Sequence, residues 1–260
     1  MKRKNTGCGG LCFLLILVIA GAGLWRLWNE LDTPEAGTYG EADRIIAAFA
    51  AENGLQLSDY PEELRELLER NPETEDFVLH YPLDKGSEVH VDLSGYDRSD
   101  GVPLFLQWDR QWGHVDYGGR PAALTGCGPT CLSMAAWYLT CDDSFSPDRM
   151  MEFAEKNGYY SPGSGSSWTL ISEGAVKLGF DVTEIPLAKG RIFDNLDVGN
   201  PIICAMGPGD ITTSGHFIVL GGVEDGLLRV NDPNSIKNSR KLWAFEDIES
   251  QFRNLWVIRK

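Results

Sequence analysis

Histidine is scarce in this chain of 260 residues: His80, His90, His114 and His216 are all there are. Any chemistry that needs an imidazole must draw on one of these four. Basic charge is also in short supply, with 23 Lys and Arg against 38 Asp and Glu and a net charge of −15. The first 28 residues hold four of the basic residues and none of the acidic ones, which leaves 19 basic against 38 acidic in the rest. A surface of that sign is repelled by nucleic acid and by anionic lipid headgroups, which excludes a nucleic-acid partner and keeps an exported domain soluble. None of the six cysteines falls in a Cys-x-x-Cys pair. The usual zinc-ligand spacing is therefore missing, and no metal or organic cofactor is implied. No internal repeat is visible. Only one long apolar run exists, from Leu11 to Trp25.

That run marks the first segment, residues 1–28. Lys2, Arg3 and Lys4 precede it, Trp25 and Trp28 lie where an interfacial aromatic belt would sit, and no acidic residue appears before Glu30. The pattern predicts a signal anchor that holds the chain in the membrane with everything beyond it outside the cytoplasm. A cleaved signal peptide, with Ala20-Gly21-Ala22 as the processing site, is the alternative and leads to a secreted protein. The whole chain is 43% hydrophobic and 23% charged, enough for one principal core and a smaller accessory region.

Residues 29–100 read as a linker and a helical accessory region. Pro34 and two glycines interrupt residues 29–40, and then Ile45, Ile46 and Phe49 recur at helical spacing up to Gly54. Leu64, Leu67 and Leu68 form the apolar face of a second helix that Pro72 ends, and a short third helix follows through residues 73–81. The alternation in VHVDL, residues 89–93, predicts an edge strand. The region would act as a spacer or a lid.

From residue 101 to 260 the pattern changes. Helices are expected from Pro129 to about Thr140, over SPDRMMEFAEKNG and over SSWTLISEGAVKLG; beyond residue 180 strands dominate, in DVTEIPL, PIICAM, GHFIVLGGV and GLLRVNDP. Asp225-Gly226 is a hairpin turn between the last two, and a further helix and strand close the chain. Helices first and an antiparallel sheet afterwards make the fold class α+β.

Chemistry concentrates in LTGCGPTCLSM, residues 124–134. A helix beginning at Gly128 or Pro129 places Cys127 at its N-terminus, where free N–H groups and the helix dipole lower a thiol's pKa. Cys131 lies one turn inside and lacks that field. Gly126 and Gly128 leave the sulfur open to an approaching carbonyl group. Cys127 as a small buried hydrophobe is the bland alternative. A disulfide is another: Cys131 and Cys141 would stand about 15 Å apart on one helix, which leaves Cys204 as the partner for either. His216 opens a strand, and Asp232 ends its hairpin partner, so the two meet at the open end of the hairpin and the carboxylate can fix the imidazole's tautomer. His114 competes as the base but sits in a polar loop and reads as exposed. Trp168 either lines the cleft or packs in the core.

In the order Gln107, Cys127, His216, Asp232, with QWDRQWG, GCGPT, GHFIVL and NDPNS around them, residues 101–260 resemble the papain-like cysteine peptidases of the bacteriocin leader-processing kind, in particular their stand-alone exported relatives. The resemblance implies a papain-like catalytic domain with Cys127 as nucleophile, His216 as general base, Asp232 as orienting group and Gln107 as oxyanion donor. Gln107 stands farther upstream of Cys127 than the glutamine of leader peptidases does, so the intervening chain must loop back through Gly113, Gly118 and Gly119. Gln111, in a more polar segment that reads as mobile, is the competing donor. The implied substrate is a peptide or protein, with cell-wall peptide one possibility for an amidase or endopeptidase; a catalytically silent surface binding module would keep the same residues.

Overall fold

The computed structural model describes residues 40–163 and 165–260. The targeting segment expected over residues 1–28 and nearly all of the linker after it lie outside these residues. Among the described residues no helix is long and apolar enough to cross a membrane.

Three helices open the described residues: α1 (Glu41–Asn53), α2 (Glu62–Arg70) and α3 (Glu75–Asp84). Leu64, Leu67 and Leu68 of α2 are buried as their spacing requires, whereas α1 turns Ala42, Ile46 and Ala50 inward and leaves Ile45 and Phe49 half-buried. Gly54 ends α1 at φ 69°, the left-handed cap that glycine adopts without steric penalty. These helices do not stand off as a spacer. Their core also takes in Trp108 and Ala123, with Leu106, Leu124 and Ile236 packed against it, so they are fused to the chain beyond residue 101.

The expected edge strand at residues 89–93 does not form. The N–H of Asp92 meets the Gln111 side-chain carbonyl at 2.7 Å and not a neighbouring strand, and of the alternating apolar residues only Leu93 enters the core. Alternation without a partner edge leaves a segment extended but unpaired.

The rest of the described chain is a six-stranded antiparallel sheet with helices on both faces. Helices α4 (Ala122–Thr125), α5 (Cys127–Thr140) and α6 (Pro147–Lys156) precede a two-stranded ribbon, β1 (Tyr160–Ser161) with β2 (Gly165–Ser166). A π turn at Leu170–Gly174 leads into α7 (Ala175–Lys177). Then come β3 (Asp181–Glu184), α8 (Lys189–Asp197), β4 (Ile202–Met206), β5 (His216–Glu224), β6 (Leu227–Asn231), α9 (Ile236–Arg240), β7 (Leu242–Trp243), α10 (Phe245–Ile248) and β8 (Phe252–Arg259). The strand order is β3-β8-β4-β5-β6-β7. The fold is α+β, as the order of helices and strands in the sequence implies.

Burial of the sheet explains the continuous apolar run of β4. Ile203 and Ala205 join the core that contains α5, while Ile202, Cys204 and Met206 join the one that contains Ile192 and Leu196 of α8. The same alternation separates the cysteines. Cys131 on α5 faces one core and Cys204 the other, with the sheet between them, so no bridge to Cys204 forms; Cys127, Cys131, Cys141 and Cys204 are all free thiols.

Between β5 and β6, Asp225 and Gly226 take φ of 52° and 77°, the conformation of a two-residue hairpin turn. A bulge between Leu220 and Gly222 shifts the register, so that Val219 pairs with Asn231 and the ladder stops there. Asp232 thus lies just past the end of β6 and reaches His216 diagonally.

Candidate active site

Helix α5 starts at Cys127 itself, with Gly126 as its N-cap residue and no side chain capping it. The flanking glycines are required by packing. A Cβ on Gly128 would come within 2.6 Å of Ser166, and one on Gly126 within 2.7 Å of the Ala122 carbonyl oxygen. Both glycines let neighbouring chain close under the helix start, a packing role that stands beside the open approach to the sulfur expected from the sequence. Ser166 is itself held by the Tyr117 hydroxyl at 2.7 Å.

His216 Nε2 lies 2.7 Å from Asp232 Oδ1, which leaves Nδ1 for the sulfur. Asp232 is 1% exposed. It is also well satisfied. Oδ1 accepts the Asn234 N–H at 2.9 Å, Oδ2 accepts Asn238 Nδ2 at 2.7 Å, and its own N–H donates to Ser239 Oγ at 2.9 Å. A buried carboxylate with every acceptor used is fixed in place.

These contacts set the proton affinities. Burial opposes a charged imidazole, yet the hydrogen bond and charge of Asp232, and then those of Cys127, push the His216 pKa up to about 10. Burial likewise opposes a thiolate at Cys127, but the His216 side chain and the N–H groups of Phe217 and Gly128 hold its pKa below the ordinary thiol value. Burial drives the Cys131 and Cys204 thiols well above it. A thiolate and an imidazolium side by side are the arrangement these shifts favour.

Gln107 is pinned from both sides. Its N–H donates to the Pro233 carbonyl at 2.8 Å, and Nε2 donates to the Ala123 carbonyl at 2.7 Å, while Oε1 is buried with no hydrogen-bond partner. Gly118 and Gly119, at φ 74° and 79°, turn the loop back as the long gap demands. Gln107, Cys127, His216 and Asp232 all line one cleft of about 900 Å³. The second amide proton of Gln107 Nε2 remains available to it.

Neither competitor lines this cleft. Gln111 is engaged elsewhere: its side chain accepts the Asp92 N–H and its own N–H is held by Asp109 at 2.9 Å. His114 is half-buried, not exposed, because Nδ1 bonds the Arg110 carbonyl at 3.1 Å and the ring lines a separate pocket with Tyr81 and Val89. Trp168 lines a pocket beside the dyad and does not join the core. It stacks edge-on with Trp256 and, 48% exposed, lines a smaller pocket of about 250 Å³ that Cys127 and His216 share. The dyad therefore sits between two depressions. Among the described residues no group of three or more His, Cys, Asp or Glu side chains could hold a metal ion.

Asn234, Asn238 and Ser239 were not singled out from the sequence, and neither were Arg70, Asn71 and Glu73, which line the cleft from the helical region. The polar run NDPNSIKNS carried the only signal for the first three. Nothing local marks the others.

No curated protein matches the chain. Among solved structures it is similar to the peptidase domain of Streptococcus ComA, a bi-functional ABC transporter involved in a quorum sensing pathway, at 25% identity, covering 52% of this chain and 91% of that one with a TM-score of 0.40. The Streptococcus mutans ComA peptidase domain with a small-molecule inhibitor aligns at 22% identity over 61% of this chain and 99% of that one, TM-score 0.38. A Bacillus anthracis protein described as a C39-like peptidase aligns at 15% identity over 61% and 94%, TM-score 0.41. Residues 99–260 match the Peptidase_C39 like family, which is more than half of the sequence, so the chain belongs to that family and is a cysteine peptidase.

Proposed function

We propose that this peptidase cleaves peptide bonds through a Cys127–His216–Asp232 triad with Gln107 as oxyanion donor. The observation that carries the reading is the buried Asp232 at 2.7 Å from His216 on the cleft that Cys127 lines. The Cys127 thiolate attacks the scissile carbonyl carbon and a C–S bond forms. The carbonyl oxygen takes the negative charge, where the Gln107 amide and the N–H groups at the start of α5 can donate to it. The His216 imidazolium then protonates the leaving nitrogen as the C–N bond breaks, giving an acyl-enzyme. Neutral His216 next removes a proton from water, whose oxygen attacks the thioester carbon; the C–S bond breaks and the carboxylate product leaves with the thiolate restored.

The segment of residues 1–28 supports a location at the cell membrane with the peptidase outside the cytoplasm, where cell-wall stem peptides are one available class of substrate. The test is labelling of the purified full chain with a peptidyl electrophile, followed by mass mapping. Selective modification at Cys127, with one equivalent of the electrophile's leaving group released per chain, is the expected result. Equal labelling of Cys127, Cys131 and Cys204 would overturn the assignment and favour a silent binding module.

A further inference from the structure

The stretch that carries Asp232 is the part of the site no strand secures. β6 ends at Asn231, and Asp232 makes only an isolated bridge with Ser235. What fastens this stretch comes from far away in sequence. Glu73, in the turn between α2 and α3, accepts hydrogen bonds from Ser235 Oγ and the Ile236 N–H at 3.0 Å each, and from the Lys237 N–H at 2.9 Å. Next to it, Asn71 Nδ2 donates to the Asn234 carbonyl at 2.8 Å. The Glu73 carboxylate thus closes the first turn of α9, whose N–H groups have no partner within the helix. Asn238 of α9 then reaches Asp232 Oδ2, and Ser239 takes the Asp232 N–H. One continuous chain of bonds runs from Glu73 through α9 to Asp232 and on to His216. Residue 73 lies outside the family match, which begins at residue 99.

We propose that Glu73 is a positioning residue of the active site: by fixing α9 it holds Asn238 and Asp232 against the His216 ring, which makes the corner between α2 and α3 a working part of the peptidase. The proposal rests on the reading of Cys127, His216 and Asp232 given above. A carboxylate suits the task because it accepts all three bonds and offers no donor to repel the facing N–H groups. An amide at this position keeps one acceptor and turns its own N–H groups on the helix start.

The readout is the pH dependence of Cys127 alkylation by iodoacetamide, mapped by mass spectrometry on the full chain. The groups that face the reporting pair are few: Asp232 and Cys127 bear on His216, and His216 bears on Cys127, with Tyr117 and Cys131 near enough to feel the thiolate's charge. Arg70 and Lys237 share the cleft with Glu73. The unmodified chain should show a Cys127 thiolate that persists below the ordinary thiol range. In Glu73→Ala the acid limb should move up by about one pH unit, slowing alkylation about tenfold below the limb. Glu73→Asp should restore part of the shift. Glu75→Ala, which removes the same charge from an exposed position, should leave the limb where it was. Melting temperatures recorded in parallel separate a loss of fold from a moved limb. Glu73→Gln keeps the side-chain volume and decides the matter should the alanine variant fail to fold. An unmoved limb in a folded Glu73→Ala or Glu73→Gln chain overturns the proposal. A wild-type chain whose Cys127 shows no low-pH thiolate overturns the triad reading instead, before any variant is made.

Discussion

The two walls of the cleft are built differently. On one side Cys127 stands at the start of α5, with α4 immediately before it and the N–H of Gly128 beside it, while Ser166 under the helix start and the Phe217 N–H come from farther along the chain. On the other side His216 depends on Asp232, which depends on Asn234, Asn238 and Ser239, and these are tied to Asn71 and Glu73 some 160 residues away. A helix start supplies its own electrostatics through unpaired N–H groups, so the Cys127 wall needs little help. A carboxylate past the end of a strand has no such support and must be fastened by side chains. Gln107 joins the two walls, with its backbone on Pro233 and its amide on Ala123.

Removing the central group of each wall is the strongest way to test this difference. Cys127→Ala should lower turnover of a peptide substrate by on the order of 10⁶, since the loss of a triad nucleophile leaves only binding and the oxyanion donors. Asp232→Asn should lower it by up to about 10⁴, because the imidazole loses the partner that fixes its tautomer. A pH profile belongs with this variant. With Cys127 held below and His216 raised to about 10, the intact chain should work across a wide window: activity is lost in acid as the thiolate is protonated, and lost in base as His216 gives up its proton near 10. Asp232→Asn should bring the basic limb down. If it stays near 10, the two walls do not differ as described.

Gln107→Ala tests the join. Turnover should fall by on the order of 10² to 10³ while alkylation of Cys127 is spared, because an oxyanion donor acts only once the tetrahedral oxygen exists. Gln111→Ala should change neither rate. Damage from Gln111→Ala with none from Gln107→Ala would assign the donor to the wrong glutamine. The smallest effect is expected from Gly128→Ala, where the added methyl meets Ser166 and overpacking should destabilise the chain by about 1–3 kcal/mol in denaturant titration. A neutral result there would leave the flanking glycine only the role of clearing the sulfur.

Much of this site could be read from the sequence because its parts are local or follow from simple registers. The helix start at Cys127, the turn at Asp225-Gly226 and the polarity of β5 are written in a few adjacent residues. His216 and Asp232 meet because a hairpin returns on itself, although the bulge at Gly221 shifts the pairing and only a diagonal reach closes the gap. What failed had the opposite character. VHVDL alternates as a strand does, yet no sheet edge receives it. His114 and Gln111 sit in a polar stretch, but tertiary contacts with the Arg110 carbonyl and with Asp92 fix them. The helical region read as a spacer or lid because its amphipathic faces do not say what they pack against.

Sequence alone determined the α+β class, the hairpin turn at Asp225-Gly226 and the placing of Cys127 at a helix N-terminus, since periodicity, turn residues and helix-end electrostatics are properties of short segments. Tertiary structure alone decided that Cys131 and Cys204 face opposite sides of the sheet, that Gly126 and Gly128 serve packing, and that Glu73 closes the helix behind Asp232. Each of these depends on which surfaces meet across the fold. A side chain carries no local mark of a partner 160 residues away, because the free energy of that contact exists only once the chain has closed on itself.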